Sequence, residues 1–193
     1  MKLLQRAAAY WVPIALLAAF ATTADNYKLY VLALIGLAAV VGAGLNILVG
    51  MTGQISLGHV GFYAIGAYVV AILSTKWQVN FWAAWPLAGL ISALAGVVLA
   101  IPALRVRGPY LAMITIAFGF IVEQGAAEFV DLTGGWNGII GIPPPRLAGK
   151  SFAEREIALF VILFTAAAFW AYARLASSAW GKAMRAVRDA EAA

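Results

Sequence analysis

Five polar side chains with chemistry to offer, Asn46, Thr52, Gln54, Ser56 and His59, fall within fourteen residues of an otherwise apolar run. Amide, hydroxyl and imidazole groups can exchange hydrogen bonds with a solute or with water. They do not form a catalytic set. The chain has one histidine and no cysteine, which rules out a His/Cys metal cluster. It has no G-x-S-x-G elbow and no close carboxylate pair within a helix. Gly149-Lys150-Ser151 would end a P-loop, but the glycine required five residues before Gly149 is Pro144, and no strand precedes it. No catalytic residue, cofactor site or metal site is expected.

The elements that must hold these polar groups are apolar. Leu29 to Thr75 is 47 residues without an Asp, Glu, Lys or Arg. One membrane crossing takes about 20 apolar residues, so the run can cross twice. Leu29–Val49 and Leu57–Ser74 are its two apolar halves, with Gly50-Met51-Thr52-Gly53-Gln54-Ile55-Ser56 between them. Irregular polar backbone at membrane depth is tolerated where it is buried in protein or lines a wet cavity, and broken helices form pathways in transporters. Two readings stand: a helix break around residues 50–58 that gives polar groups to a pathway, and a plain turn at the cytoplasmic face. His59 alone also fits a packed or interfacial role. Gly50, Gly53, Gly58, Gly61 and Gly66 permit both a break and close helix packing.

Composition sets the class. The 193 residues are 64% hydrophobic and 11% charged, with mean hydropathy +0.92, against about 25% charged in soluble domains. This is an all-α polytopic membrane protein, with six transmembrane helices expected. They are Ala7–Thr23, Leu29–Val49, Leu57–Ser74, Phe81–Leu104, Pro109–Val130 and Ile157–Leu175. Lys2, Arg6 and Ala19-Phe20-Ala21 also fit a cleaved signal peptide, but the uncharged run before Asp25 is near spanning length and is read as a retained helix. Ser92, Gly96 and Ala100 form a small-residue stripe suited to close helix approach. Glu123 lies about 21 Å past Pro109 along the fifth helix, either an intramembrane carboxylate or an interfacial one. Asp131–Glu156, rich in glycine and proline, is expected to be a loop.

The net charge of +5 does not indicate nucleic acid, because the basic residues are not interleaved with an aromatic platform. With the N-terminus inside, 8 of the 13 basic residues fall inside, in keeping with the positive-inside bias. The 131–156 loop is then external and the tail, 177–193, cytoplasmic. In the tail, Trp180, Ala183, Met184 and Val187 recur at helical spacing, and Ser178 is placed to cap the helix. At 100° per residue Glu191 falls within about 20° of Trp180, on the apolar side. An unpaired charge is costly to bury in lipid, so this placement favours docking on a protein over lying on an anionic membrane surface. Gly181 would let the helix start approach a partner's backbone closely.

These residues carry a resemblance. The run from Gly44 to His59, centred on Gly50-Met51-Thr52-Gly53-Gln54, resembles the signature of the branched-chain amino acid permeases of ABC importers. Arg107-Gly108-Pro109-Tyr110-Leu111-Ala112-Met113 is similar to a second block of that family. Thr133-Gly134-Gly135, Gly138-Ile139 and Gly141-Ile142-Pro143 are similar to a third. The tail from Gly181 to Ala193 resembles its cytoplasmic coupling loop. The whole is most similar to the longer of the family's two paired permeases, a multi-pass protein of the bacterial inner membrane. The resemblance implies a homologous second permease subunit, cytoplasmic ATPase subunits that hydrolyse the ATP, an external or periplasmic substrate-binding protein and surrounding membrane lipid. The polar cluster among glycines places the expected pathway at Asn46, Thr52, Gln54, Ser56 and His59, and the tail's likeness to the coupling loop places ATPase coupling at Trp180, Gly181, Arg185, Arg188 and Glu191. Family members continue past the coupling loop, so residues 1–193 are expected to be an incomplete, C-terminally truncated permease domain. A similar branch handles urea or short amides, which stands as the alternative substrate class. A channel or secondary transporter without an ATPase, and a non-transporting membrane anchor, are the alternatives in mechanism.

Overall fold

The computed structural model describes residues 17, 19–106, 108–147 and 149–191. Most of the expected first helix lies outside these, although 19–23 are helical. Among the described residues four helices are long and apolar enough to cross a membrane: Asn26–Thr52, Phe81–Ala103, Tyr110–Glu128 and Glu154–Ser177. His59–Thr75 is a shorter apolar helix. The chain divides into two compact units, Met1–Ile47 with Phe152–Ala193, and Leu48–Ser151.

In the first unit, α1 (Asn26–Asn46) packs along the long penultimate helix, Glu154–Ser177. Ala21, Leu29, Ala158 and Ile162 are buried between them. The helices approach closely at Gly36, where a Cβ would meet Val161 Cγ1 at 2.8 Å. α1 starts three residues before Leu29 because the polar turn joins it: Lys28 pairs with Asp25 at 3.0 Å, one turn apart. At its other end the chain does not stop at Val49. It widens into a π-helical segment, Ile47–Thr52, in which Thr52 Oγ1 donates to the Leu48 carbonyl at 2.6 Å.

The second unit is built on α2 (His59–Thr75), which packs against α3 (Phe81–Ala103) and α4 (Pro109–Glu128). The expected small-residue stripe faces α2: Ser92 Oγ donates to the Phe62 carbonyl at 3.5 Å, and Gly96 lies under the Phe62 ring. Asn80 caps α3, its Oδ1 accepting from Trp82 N at 3.1 Å. α4 ends at Glu128, two residues before Val130, because Phe129 leaves helical geometry. A single turn, α5 (Val130–Thr133), and a 3-10 turn, Gly135–Asn137, follow.

The stretch expected as a loop is therefore partly ordered. Thr133 Oγ1 donates to the Ala126 carbonyl at 2.6 Å and accepts from Gly135 N at 3.2 Å, folding the glycine turn against the end of α4. Strands β1 (Arg146–Leu147) and β2 (Lys150–Ser151) pair antiparallel. Trp82 Nε1 donates to the Arg146 carbonyl at 2.8 Å, tying this hairpin to the start of α3. α6 (Glu154–Ser177) begins earlier than Ile157, since Glu156 Oε2 accepts from Ala153 N at 2.8 Å and two acids suit the positive end of a helix. α7 (Ala179–Glu191) closes the chain and packs on α6.

Candidate functional site

The break is Gly53–Gly58, six non-helical residues after the π segment. Gly53 turns the chain with φ +74°, and Gln54 N donates to the Leu48 carbonyl at 3.2 Å. The return is pinned to α4. Leu57 N donates to Thr115 Oγ1 at 3.0 Å, and that hydroxyl donates to the Ala112 carbonyl at 2.9 Å. Ser56 and Thr115 are both buried. A Cβ at Gly58 would meet the Thr115 carbonyl at 2.8 Å, and one at Gly61 the Phe118 ring at 2.7 Å. The glycines are here because α4 passes too close for a side chain.

Depth follows from helix rise. Thr115 is six residues into α4 from Pro109, about 9 Å along its axis. The 17 residues of α2 span about 25 Å, short of the hydrocarbon core of about 30 Å. Of the 53–58 segment, Ser56 and Gly58 are buried and the rest is exposed.

Above the break, the same unit holds a cavity of about 530 Å³ lined by α2, α4 and the Gly135–Asn137 turn. Leu57, the last residue but one of the break, and Gly135 to Gly138 all belong to its lining. Glu123, Tyr68, Trp136 and Asn137 bring polar groups to apolar walls. A second cavity of about 660 Å³ lies between the Ser74–Phe81 stretch and residues 140–146, so the turn after α2 and the glycine-proline loop share one end of the unit.

The five pathway residues expected from sequence are not gathered into the first cavity. Asn46 belongs to the first unit, where its Nδ2 donates to Tyr172 Oη at 2.9 Å. Thr52 bonds back to its own helix. Gln54 is exposed, Ser56 buried and His59 half-buried. His59 Nδ1 is enclosed without a hydrogen-bond partner, and its ring meets Phe62 edge-on at 6.4 Å. The residues that hold the break, Thr115 and Phe118, escaped the sequence reading. The available signals were the one threonine in the apolar run of α4 and the glycine pair Gly58 and Gly61 opposite it.

In the tail, Ser178 caps α7 as its position suggests: Gly181 N donates to Ser178 Oγ at 3.3 Å, and that hydroxyl donates to the Leu175 carbonyl at 2.7 Å. Arg185 Nη2 donates to the Ala176 carbonyl at 3.0 Å. A Cβ on Gly181 would overlap the Leu175 carbonyl and meet the Ala176 carbonyl at 2.7 Å. The close approach permitted by Gly181 is thus internal, to the end of α6. Trp180 and Val187 are exposed, and Arg188 pairs with Asp189 at 3.0 Å. Glu191 is the last residue of α7.

The sequence model of the family described as branched-chain amino acid transport system permease component matches residues 27–193. The chain belongs to that family. It is a multi-pass protein of the inner membrane, as the family and the long apolar helices together require. Over 115 residues, 60% of this chain, it is 49% identical to the high-affinity branched-chain amino acid transport system permease protein LivM of Salmonella typhimurium. The corresponding protein of Escherichia coli is 47% identical over the same length. The matched stretch covers 27% of each of those proteins. No solved structure matches the chain. In this chain the polar break, the cavity of about 530 Å³ and the Ser178-capped α7 are the features with chemistry to contribute.

Proposed function

We propose that the chain is the membrane-spanning part of a permease subunit of an ATP-binding-cassette importer, and that it moves branched-chain amino acids across the inner membrane. The Asn46–His59 stretch contributes polar groups to the pathway, the 131–156 loop is external, and the tail is cytoplasmic. α7 docks on an ATPase subunit, which hydrolyses the ATP. A second permease and an external substrate-binding protein complete the assembly.

The observation that carries this reading is the build of α7. Arg185 and the Ser178 cap fix the helix to the end of α6, while Trp180 and Val187 stay exposed. A helix held rigidly at one end, with large apolar side chains turned outward, transmits the movement of whatever grips it. Helix-in-groove docking uses anchors at this spacing. The family match, which extends through the tail, and relatives that are named for branched-chain amino acid transport support the substrate class.

The test is made on the full-length permease. An ATPase subunit should co-purify with it, and Trp180→Ala should abolish that association while leaving membrane insertion intact. Glu191→Ala should weaken association or uncouple hydrolysis from uptake. Unchanged association and unchanged substrate-stimulated hydrolysis in both variants would leave α7 as a lipid-surface helix. For the pathway, Gln54→Leu with Ser56→Ala should depress leucine uptake; normal uptake would reduce the break to a plain turn.

A further inference from the structure

We propose that the cavity of about 530 Å³ in the second unit is an amino-acid subsite, where the Glu123 carboxylate receives the α-ammonium group of the substrate. The proposal rests on reading the chain as a permease of that substrate class. It assigns the recognition to residues outside the Asn46–His59 stretch.

The charge requirement comes first. Glu123 is the one charged side chain in the cavity lining, and among the described residues it has no ion-pair or hydrogen-bond partner. It is exposed on α4, about 21 Å along the helix from Pro109, against a hydrocarbon core about 30 Å thick. A carboxylate at that depth is costly unless something neutralises it. No lysine or arginine lines the cavity. A ligand that brings its own cation meets the requirement, and a neutral amide such as urea does not.

Shape and chemistry of the walls select further. Leu57, Val60, Ile116 and Val122 present branched aliphatic surface. The volume falls in the range of small-molecule pockets, about 300–1,000 Å³, whose walls are mostly apolar with a few placed polar groups. Tyr68 and Trp136 offer ring faces, which attract an ammonium group, and the Asn137 amide can donate to a carboxylate. An ammonium, a carboxylate and a branched aliphatic chain each have a counterpart in one cavity.

The experiment uses a cysteine-free full-length permease, assembled with its partner subunits in vesicles that take up leucine. Ala64→Cys, at a lining position with no part in the proposed recognition, is labelled with an impermeant maleimide in the presence of leucine or of 4-methylpentanoate, which is leucine without its amino group. Leucine should slow labelling and 4-methylpentanoate should not. Glu123→Gln should raise the leucine concentration for half-protection at least tenfold, and Glu123→Asp less, with the ATPase still bound in both variants. Equal protection by the two compounds, or leucine protection unchanged in Glu123→Gln, overturns the site. So does absence of leucine protection in vesicles that transport leucine. Assembled vesicles that take up no leucine overturn the permease reading itself, a separate result.

Discussion

The Arg185 guanidinium donates to the Ala176 carbonyl at 3.0 Å, reaching back from α7 to the last turn of α6. That bond, the Ser178 cap and the missing side chain of Gly181 together set the angle at which α7 leaves α6. Helix ends leave carbonyls without partners, and here a cation fills one of them, where the negative end of the helix favours it. The joint is a small rigid corner.

The corner should be sensitive to two substitutions for different reasons. Gly181→Ala forces a methyl into backbone carbonyls that cannot move aside, at a cost of about 1–3 kcal/mol. Arg185→Ala removes a charge-assisted bond worth about 1.5–3 kcal/mol in general, and toward the lower figure here because the group is only partly buried. Both should speed tryptic cleavage at Lys182 in membranes of the full-length protein. Arg185→Lys should recover part of the protection that Arg185→Ala loses. Wild-type cleavage rates in both variants would mean that the corner carries no strain-sensitive contact.

Sidedness can be read with two probes. Ser151 is exposed in the hairpin, and Lys182 is exposed on α7; Ser178 is a poor probe because its hydroxyl holds the turn. One crossing helix, α6, separates the two positions. Ser151→Cys should react with an impermeant maleimide from outside, and Lys182→Cys only after permeabilisation. The reverse pattern would invert the orientation drawn from the charge count.

The two glycines on the break side of α2 should fail differently. At Gly58 the obstacle is the Thr115 carbonyl, and at Gly61 it is the Phe118 ring. Either change to alanine should destabilise the full-length protein in detergent by about 1–3 kcal/mol. Phe118→Leu should rescue Gly61→Ala, because a side chain can give way. It should not rescue Gly58→Ala, because the carbonyl belongs to α4 itself. Equal rescue of both would show that the helices adjust as rigid bodies.

Most of the architecture was legible in the sequence, for physical reasons. Hydrocarbon thickness forces long apolar runs, and their ends are written in charges, prolines and glycines. The break was visible because Thr52, Gln54 and Ser56 cannot sit comfortably in an uninterrupted lipid-facing helix. What faces the break was not legible. Thr115 is one hydroxyl in an apolar helix, and hydrophobic periodicity does not say which neighbour a hydroxyl serves. The cavity was equally hidden: Tyr68, Glu123 and Asn137 are far apart in the chain, and only the packing of α2 on α4 and the folding of Thr133 over Ala126 bring them to one lining. Asn46 was legible as a polar group of the signature stretch, but the partner of its amide, Tyr172 of α6, was not, since it lies 126 residues on in the sequence.

Thr115 provides the sharpest test of how the break is held. It is 4% exposed and both gives and takes a hydrogen bond, to the Ala112 carbonyl and from Leu57 N. Valine has nearly its shape and none of its polarity. Thr115→Val therefore keeps the packing and leaves the part-buried Leu57 N–H without its acceptor, a loss toward the lower end of the range of about 1–3 kcal/mol for buried groups. Thr115→Ser keeps the acceptor and loses only a methyl group. The expected order of stability is wild type, then serine, then valine, whereas hydrophobic burial alone would put valine first. Hydrogen exchange of the peptide covering 53–58 should rise about tenfold in the valine variant, since about 1.4 kcal/mol corresponds to one decade in an opening equilibrium. In the serine variant that exchange should stay near wild type. If valine stabilises the protein and exchange in 53–58 does not change, the hydroxyl is not what holds the break, and the contacts of Gly58 and Gly61 with α4 must hold it alone.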